Sequence, residues 1–144
     1  MPENVGKEET PAIYALTNII MNEKIAVVTG ATGGIGKVVC KHLIANGYTI
    51  FAACRNAGKG EMLRKEIFEN CNYEASTADN LVFIPLDLKS FSSVKEFCST
   101  VIEKVNTMGC HISLLVNNAG FISPVYEITQ DGYESTMQVN YLSC

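Results

Sequence analysis

The chain has 144 residues, 47% of them hydrophobic and 18% charged, which suits one soluble globular domain with a core of its own. A net charge of -4 and a pI near 5.1 exclude a phosphate-tracking nucleic-acid surface and leave small molecules or proteins as partners. The six cysteines (40, 54, 71, 98, 110 and 144) form no C-x-x-C pair and have no histidine at a metal-like spacing, so reduced, partly buried thiols in a cytoplasmic setting are expected.

Residues 1–22 read as a flexible N-terminal extension. Their apolar residues, Ile13 to Leu16 and Ile19 to Met21, form runs too short to span a bilayer, and acids precede them where a signal peptide would be basic. The domain pattern occupies 23–144. Lys24 to Thr29 is an apolar, Val- and Ile-rich run of the kind buried on both faces of a parallel sheet. Gly34 to Asn46 follows as a helix, with Ile35, Val38, Val39 and Leu43 at helical spacing, and Asn46-Gly47 stops it. Tyr48 to Ala53 is a second strand. Lys59 to Asn70 is a second helix, with Met62, Leu63 and Ile67 on its apolar side and Glu61–Lys65 as an i,i+4 pair. Cys71 to Asn80 is a polar loop and Leu81 to Leu86 a third strand.

Ser90 to Asn106 carries the clearest helical stripe, Val94, Phe97, Val101 and Val105, with Cys98 and Ile102 beside it. Ser93 with Glu96 fits a capping box, and Ser90 is an equally good N-cap. Ile112 to Val116 is a fourth strand. A last helix is expected from about Thr129 or Gln130, running on to Cys144. Strands alternating with helices predict an α/β fold: a doubly wound parallel sheet of Rossmann type in the order 3-2-1-4. The fourth strand would be an edge, yet Leu114-Leu115-Val116 has no charged gatekeeper, so the sheet is expected to be incomplete.

The chemistry centres on the turn from Thr29 to Gly36, which includes Gly30, Thr32, Gly33, Gly34 and Ile35. A strand, a glycine turn and a helix N-terminus present free N–H groups and a positive dipole end to a pyrophosphate. Gly30 permits the turn, Gly34 lets the backbone approach phosphates, and Gly36 lets the helix close on the strand. A P-loop is rejected, because Ala31 stands at its first glycine and Val38 where a Ser or Thr would hold magnesium. The second strand ends in Ala53-Cys54-Arg55-Asn56 with no acid to bind a ribose 2′-hydroxyl. Arg55, aided by Lys59, can pair with a 2′-phosphate, so NADP(H) is expected in preference to NAD(H). Asp87-Leu88 closes the third strand beside an adenine edge. Asn117-Asn118-Ala119-Gly120 ends the fourth, where two amides can bridge loops and two small residues leave room for a ligand.

Together with Val139-Asn140, these motifs resemble the short-chain dehydrogenase/reductase family over residues 24–144. The stretch Ala53-Cys54-Arg55-Asn56 with Lys59-Gly60-Glu61 is similar to the retinol dehydrogenase and protochlorophyllide reductase-like branch. The resemblance implies an NADP(H)-dependent oxidoreductase acting on carbonyls, alcohols or a conjugated double bond. It also implies that Asp87 holds the adenine, that Asn118 to Gly120 line the cofactor site, and that Asn140 is the Asn of a catalytic tetrad. The family's proton donor is a Tyr four residues before a Lys, with a Ser upstream. Here Tyr14, Tyr48, Tyr73, Tyr126 and Tyr133 are followed at that spacing by Asn18, Ala52, Thr77, Gln130 and Met137, and Tyr141 has no such position. The chain therefore reads as the N-terminal, cofactor-binding part of such an enzyme. The alternative is a non-catalytic dinucleotide-binding or interaction module, or an inert shortened product. A small carbonyl or alcohol substrate and a homodimer are expected of the full-length family, with no membrane span and with endoplasmic-reticulum association left open.

Overall fold

The computed structural model describes residues 24–69 and 80–144; the expected extension over 1–22 and nearly all of the polar loop over 71–80 lie outside them. Four parallel strands form one sheet in the order β3-β2-β1-β4, as the alternation of elements predicts. They are β1 (Lys24–Thr29), β2 (Tyr48–Cys54), β3 (Leu81–Pro85) and β4 (His111–Val116). The helices between them are α1 (Gly34–Ala45), α2 (Ala57–Glu69) and α3 (Phe91–Met108).

The two central strands are buried almost throughout, because side chains alternating along each strand enter two separate cores. Ile25, Val27, Phe51, Ala53 and Ile84 pack with Phe97, Val101 and Val105 of α3. Val28, Ile50, Ala52 and Leu81 pack on the other face with Cys40 and Ile44 of α1 and Leu63 and Ile67 of α2. Each fully buried Leu or Ile removes enough apolar surface from water to contribute roughly 1.5–3 kcal/mol. A continuous apolar run in β1 and β2 is thus what a sheet covered on both faces requires.

β4 pairs with β1 and is the sheet's edge among the described residues, with Leu115 59% exposed. Its register slips once. Ile25 lies opposite Ile112 but Ala26 lies opposite Leu114, so Ser113 is an extra residue in a bulge. The Ser113 hydroxyl donates to the Ile25 carbonyl at 3.0 Å.

Several expectations of facing are corrected. In α1 the buried line is Gly36, Cys40 and Ile44, whereas Ile35 (75%) and Val38 (65%) face solvent. In α2 Leu63 and Ile67 are buried but Met62 is 70% exposed, because Gly60, which seats the Phe83 ring, sets the inner face. Glu61 and Lys65 form no pair; Glu66 instead bonds Lys37 at 2.6 Å and Lys41 at 3.5 Å, tying α2 to α1. Cys98 and Ile102 lie on the exposed side of α3. Ser90, not Ser93, caps that helix by accepting the Ser93 N–H at 3.3 Å, and Gly109 ends it.

The last helix starts later than expected and does not run to the end. Thr129 to Gly132 form a turn, with Gly132 at φ +86, which a glycine adopts without strain. An isolated bridge between Ile128 and Glu134 closes it. Glu134 then caps α4 (Ser135–Met137), which widens at once into a π-helical turn, Gln138–Leu142. A partly buried polar network explains the delay. The Asp131 carboxylate accepts the Phe91 N–H (2.8 Å) at the N-terminus of α3 and the Gln138 side-chain N–H (2.7 Å). The Thr129 hydroxyl donates to the other end of the Gln138 amide. Asp131 is thus committed to the α3 dipole and cannot begin a helix of its own.

Candidate cofactor site

A cleft of about 510 Å³ opens where the strands end at their carboxyl edge, the usual ligand position in such sheets. Its floor is the glycine turn: Gly30, Thr32, Gly33, Gly34, Ile35 and Gly36 line it. Gly30 has φ +63, and its carbonyl accepts the Gly33 N–H at 3.0 Å. No side chain caps α1, so its first-turn N–H groups are left for another acceptor. A Cβ on Gly36 would come 2.2 Å from the Gly30 oxygen, so glycine there is a packing requirement. A Cβ on Gly34 would meet no protein atom within 4 Å. Packing does not explain that glycine; room for a ligand does.

The turn is held from β4. Thr29 is buried, and its hydroxyl accepts the N–H groups of Asn118 (3.1 Å) and Ala119 (3.0 Å) while donating to the Val116 carbonyl (3.4 Å). The Asn118 amide donates to the carbonyls of Thr29 (3.0 Å) and Gly30 (3.2 Å). Asn118 is therefore the amide that bridges the loops, and Asn117 is exposed and outside the cleft. Thr29 likewise acts from behind the cleft wall.

Opposite the turn lie Ala53, Cys54 and Arg55 from the end of β2, and Leu86, Asp87, Leu88 and Lys89 after β3. Burial pushes the Cys54 thiol up, although a hydrogen bond to the Asn56 carbonyl opposes this. Asp87 shapes its own turn, one carboxylate oxygen accepting the Lys89 N–H at 3.0 Å and its N–H donating to the Ser93 hydroxyl at 2.9 Å. A smaller adjoining hollow is formed by Thr32, Arg55, Asn56 and Lys59. The structure thus gathers Arg55, Asn56 and Lys59 beside the glycine turn.

The last wall is Asn118, Ala119, Gly120, Phe121 and Val139. Asn140 does not line the cleft. Its side-chain amide pairs with the Phe121 backbone, accepting the N–H at 2.9 Å and donating to the carbonyl at 2.8 Å. Lys89 and Phe121 were not singled out by sequence reasoning, and Val139 was only as part of the Val139-Asn140 motif. The place of Phe121 directly after Asn117-Asn118-Ala119-Gly120 was the one available signal. Among the described residues no cluster of His, Cys, Asp or Glu could hold a metal, and no helix is long and apolar enough to cross a membrane.

The family model for short chain dehydrogenases matches residues 24–144. The chain belongs to the short-chain dehydrogenase family. Its match to retinol dehydrogenase 11 of Mus musculus is 36% identical over 127 residues, covering 88% of this chain and 37% of the relative. Among solved structures, this short-chain dehydrogenase chain is similar to menthone neomenthol reductase from Mentha piperita, at 31% identity and a TM-score of 0.58 over 69% of this chain and 32% of that one. It is also similar to the Pseudomonas aeruginosa RhlG/NADP active-site complex, at 26% identity and a TM-score of 0.62 over 85% and 44%. The chain thus spans little more than a third of the retinol dehydrogenase it matches. Membership supports an oxidoreductase family with a nicotinamide dinucleotide site, and the cleft lies where that site is expected.

Proposed function

We propose that this chain binds NADP(H) and is the cofactor-binding part of an oxidoreductase that interconverts small carbonyls and alcohols. The observation that carries the reading is the basic hollow of Thr32, Arg55, Asn56 and Lys59 adjoining the glycine-floored cleft. In it the first-turn N–H groups of α1 receive the pyrophosphate, Arg55 and Lys59 the 2′-phosphate, Asp87 and Leu88 the adenine edge, and Asn118 to Gly120 the ribose and nicotinamide. Gly34, free of protein neighbours, supports a close phosphate approach. The complex of a relative with NADP supports the same choice. When bound, the nicotinamide supplies or takes up a hydride. Asn140, locked to the Phe121 backbone, acts in this chain by positioning the cleft wall.

No tyrosine of the 144 residues has a lysine four positions on, so the chain offers no proton donor of the family pattern. The second reading is a module that binds the dinucleotide without turning it over. For the whole protein, the reading takes a small carbonyl or alcohol as substrate, with a homodimer in a cytoplasmic setting. The acidic balance and the buried Cys40 and Cys54 support the latter.

Calorimetric titration with NADP and NAD tests the cofactor assignment. Arg55 is exposed, so screening reduces what its charge-assisted bond contributes, and Arg55→Ala is expected to weaken NADP by about tenfold with little change for NAD. An unchanged preference would sink the assignment. NADPH oxidation by the 144-residue chain with a panel of aldehydes and ketones is expected to be negligible on both readings, and turnover near the rate of a whole reductase would sink both.

A further inference from the structure

Lys89 joins two walls of the cleft in a way the family motifs do not account for. It leaves the Asp87–Ser90 turn, lines the cleft and places its ammonium 4.5 Å from the centroid of the Phe121 ring. The same ammonium bonds Glu127 at 2.7 Å. The Lys89 side chain keeps only 26% of its exposure, so the cation is largely withdrawn from water between a carboxylate and a π face. Phe121 packs against the core below, and its backbone is pinned by Asn140. The Lys89 side chain therefore spans from the end of β3 to the loop after β4, across one mouth of the cleft.

On the NADP(H) reading, on which this inference rests, the glycine turn at β1 holds the pyrophosphate and Arg55 at β2 the 2′-phosphate. The adenosine half then lies on the β2–β3 side, against Leu88 and Lys89. We propose that Lys89 is a positioning residue for that half: clamped between Glu127 and Phe121, it fixes the separation of the Asp87–Lys89 turn from the Ala119–Phe121 segment. Its charge is spent within the protein and makes no ion pair with the ligand.

The test uses the full chain and 2′,5′-ADP, which carries the adenosine and both phosphates. Lys89→Met keeps the aliphatic stem and removes the charge, Lys89→Arg keeps the charge and can stack on the ring, and Glu127→Gln removes the counter-charge. By calorimetry, Lys89→Met and Glu127→Gln are both expected to weaken 2′,5′-ADP roughly threefold to tenfold, with Lys89→Arg close to wild type. Amide exchange at Phe121, followed without ligand, is expected to quicken in the same two variants. The decisive arm is the sign for Glu127→Gln. If Lys89 met the phosphates directly, removing its carboxylate partner would free the ammonium and tighten binding, and that result overturns the proposal. Unchanged affinity with unchanged Phe121 exchange overturns it as well. Should Lys89→Met not fold, Glu127→Gln carries the comparison alone. A wild-type chain that does not bind 2′,5′-ADP brings down the NADP(H) reading and this proposal together, whereas wild-type binding with indifferent variants brings down the clamp only.

Discussion

Adding a single methyl group at Gly36 and at Gly34 should have opposite effects on the fold and the ligand. In Gly36→Ala the new Cβ would lie 2.2 Å from the Gly30 oxygen and 2.9 Å from Ala31 Cα. A carbon and an oxygen approach to about 3.3 Å, so the carbonyl has to retreat by about 1 Å. It is not free to do so, because it accepts the Gly33 N–H at 3.0 Å and the Asn118 amide at 3.2 Å. Overpacking of about 1–3 kcal/mol, with one or two weakened hydrogen bonds of about 1 kcal/mol each, places the cost near 3 kcal/mol. For a domain of this size that lowers Tm by roughly 10–15 °C. Gly34→Ala meets no protein atom and removes a glycine from the first turn of α1. It should stabilise the fold by up to about 0.5–1 kcal/mol. The same methyl points into the cleft and should weaken NADPH by about tenfold or more, since a phosphate can no longer reach the backbone. Thermal unfolding by circular dichroism and titration of NADPH fluorescence read the two effects separately. A Gly34→Ala chain that binds NADPH as tightly as wild type would refute the ligand argument. A Gly36→Ala chain with an unaltered Tm would refute the packing argument.

Thr29→Val removes the acceptor of two N–H groups, those of Asn118 and Ala119, and should destabilise the chain by about 1–3 kcal/mol, with Thr29→Ser recovering most of the loss; urea midpoints check both. Stability should also fall on acidification in a way that depends on Glu66. Its carboxyl is held below the usual range, first by the hydrogen bond from Lys37, so the contribution is complete above the ordinary carboxylate pKa of about 4.3 and is lost as pH falls through the lower folded value. The Tm advantage of wild type over Glu66→Gln should therefore shrink between pH 5 and pH 3; an advantage that stays constant through that fall would show that the pair contributes nothing.

The strands and their order were legible because a strand buried on both faces writes itself as an uninterrupted apolar run, and Ile25 to Val28 and Ile50 to Cys54 are such runs. The glycine turn was legible for a related reason: few residues can make that bend, and Gly30 and Gly36 each answer to a contact. What periodicity could not supply was the rotational offset of a helix. Ile35, Val38 and Met62 are apolar and correctly spaced, yet the inward line is set by small residues, Gly36 and Gly60, which a hydrophobicity pattern overlooks. Long-range polar pairing was hidden altogether. Nothing local marks Asp131 as the partner of Phe91 and Gln138, or Thr29 as the acceptor for residues some ninety positions on, so the late start of α4 and the support of the cleft could not be read from the chain.

The bulge at Ser113 makes β4 one residue longer than the stretch of β1 beside it. It works as a counter, deciding which of two consecutive asparagines arrives at the glycine turn. With the extra residue, Val116 falls opposite Val28, and Asn118 reaches the carbonyls of Thr29 and Gly30. Were Ser113 instead paired with Ala26 in an unbroken ladder, every later residue would advance by one place and Asn117 would take the position from which Asn118 now donates. The spacing of the Asn-Asn-Ala-Gly motif is therefore meaningful only as counted from the bulge. An insertion between the bulge and the motif that leaves the motif's letters intact would still put it out of phase with the phosphate turn.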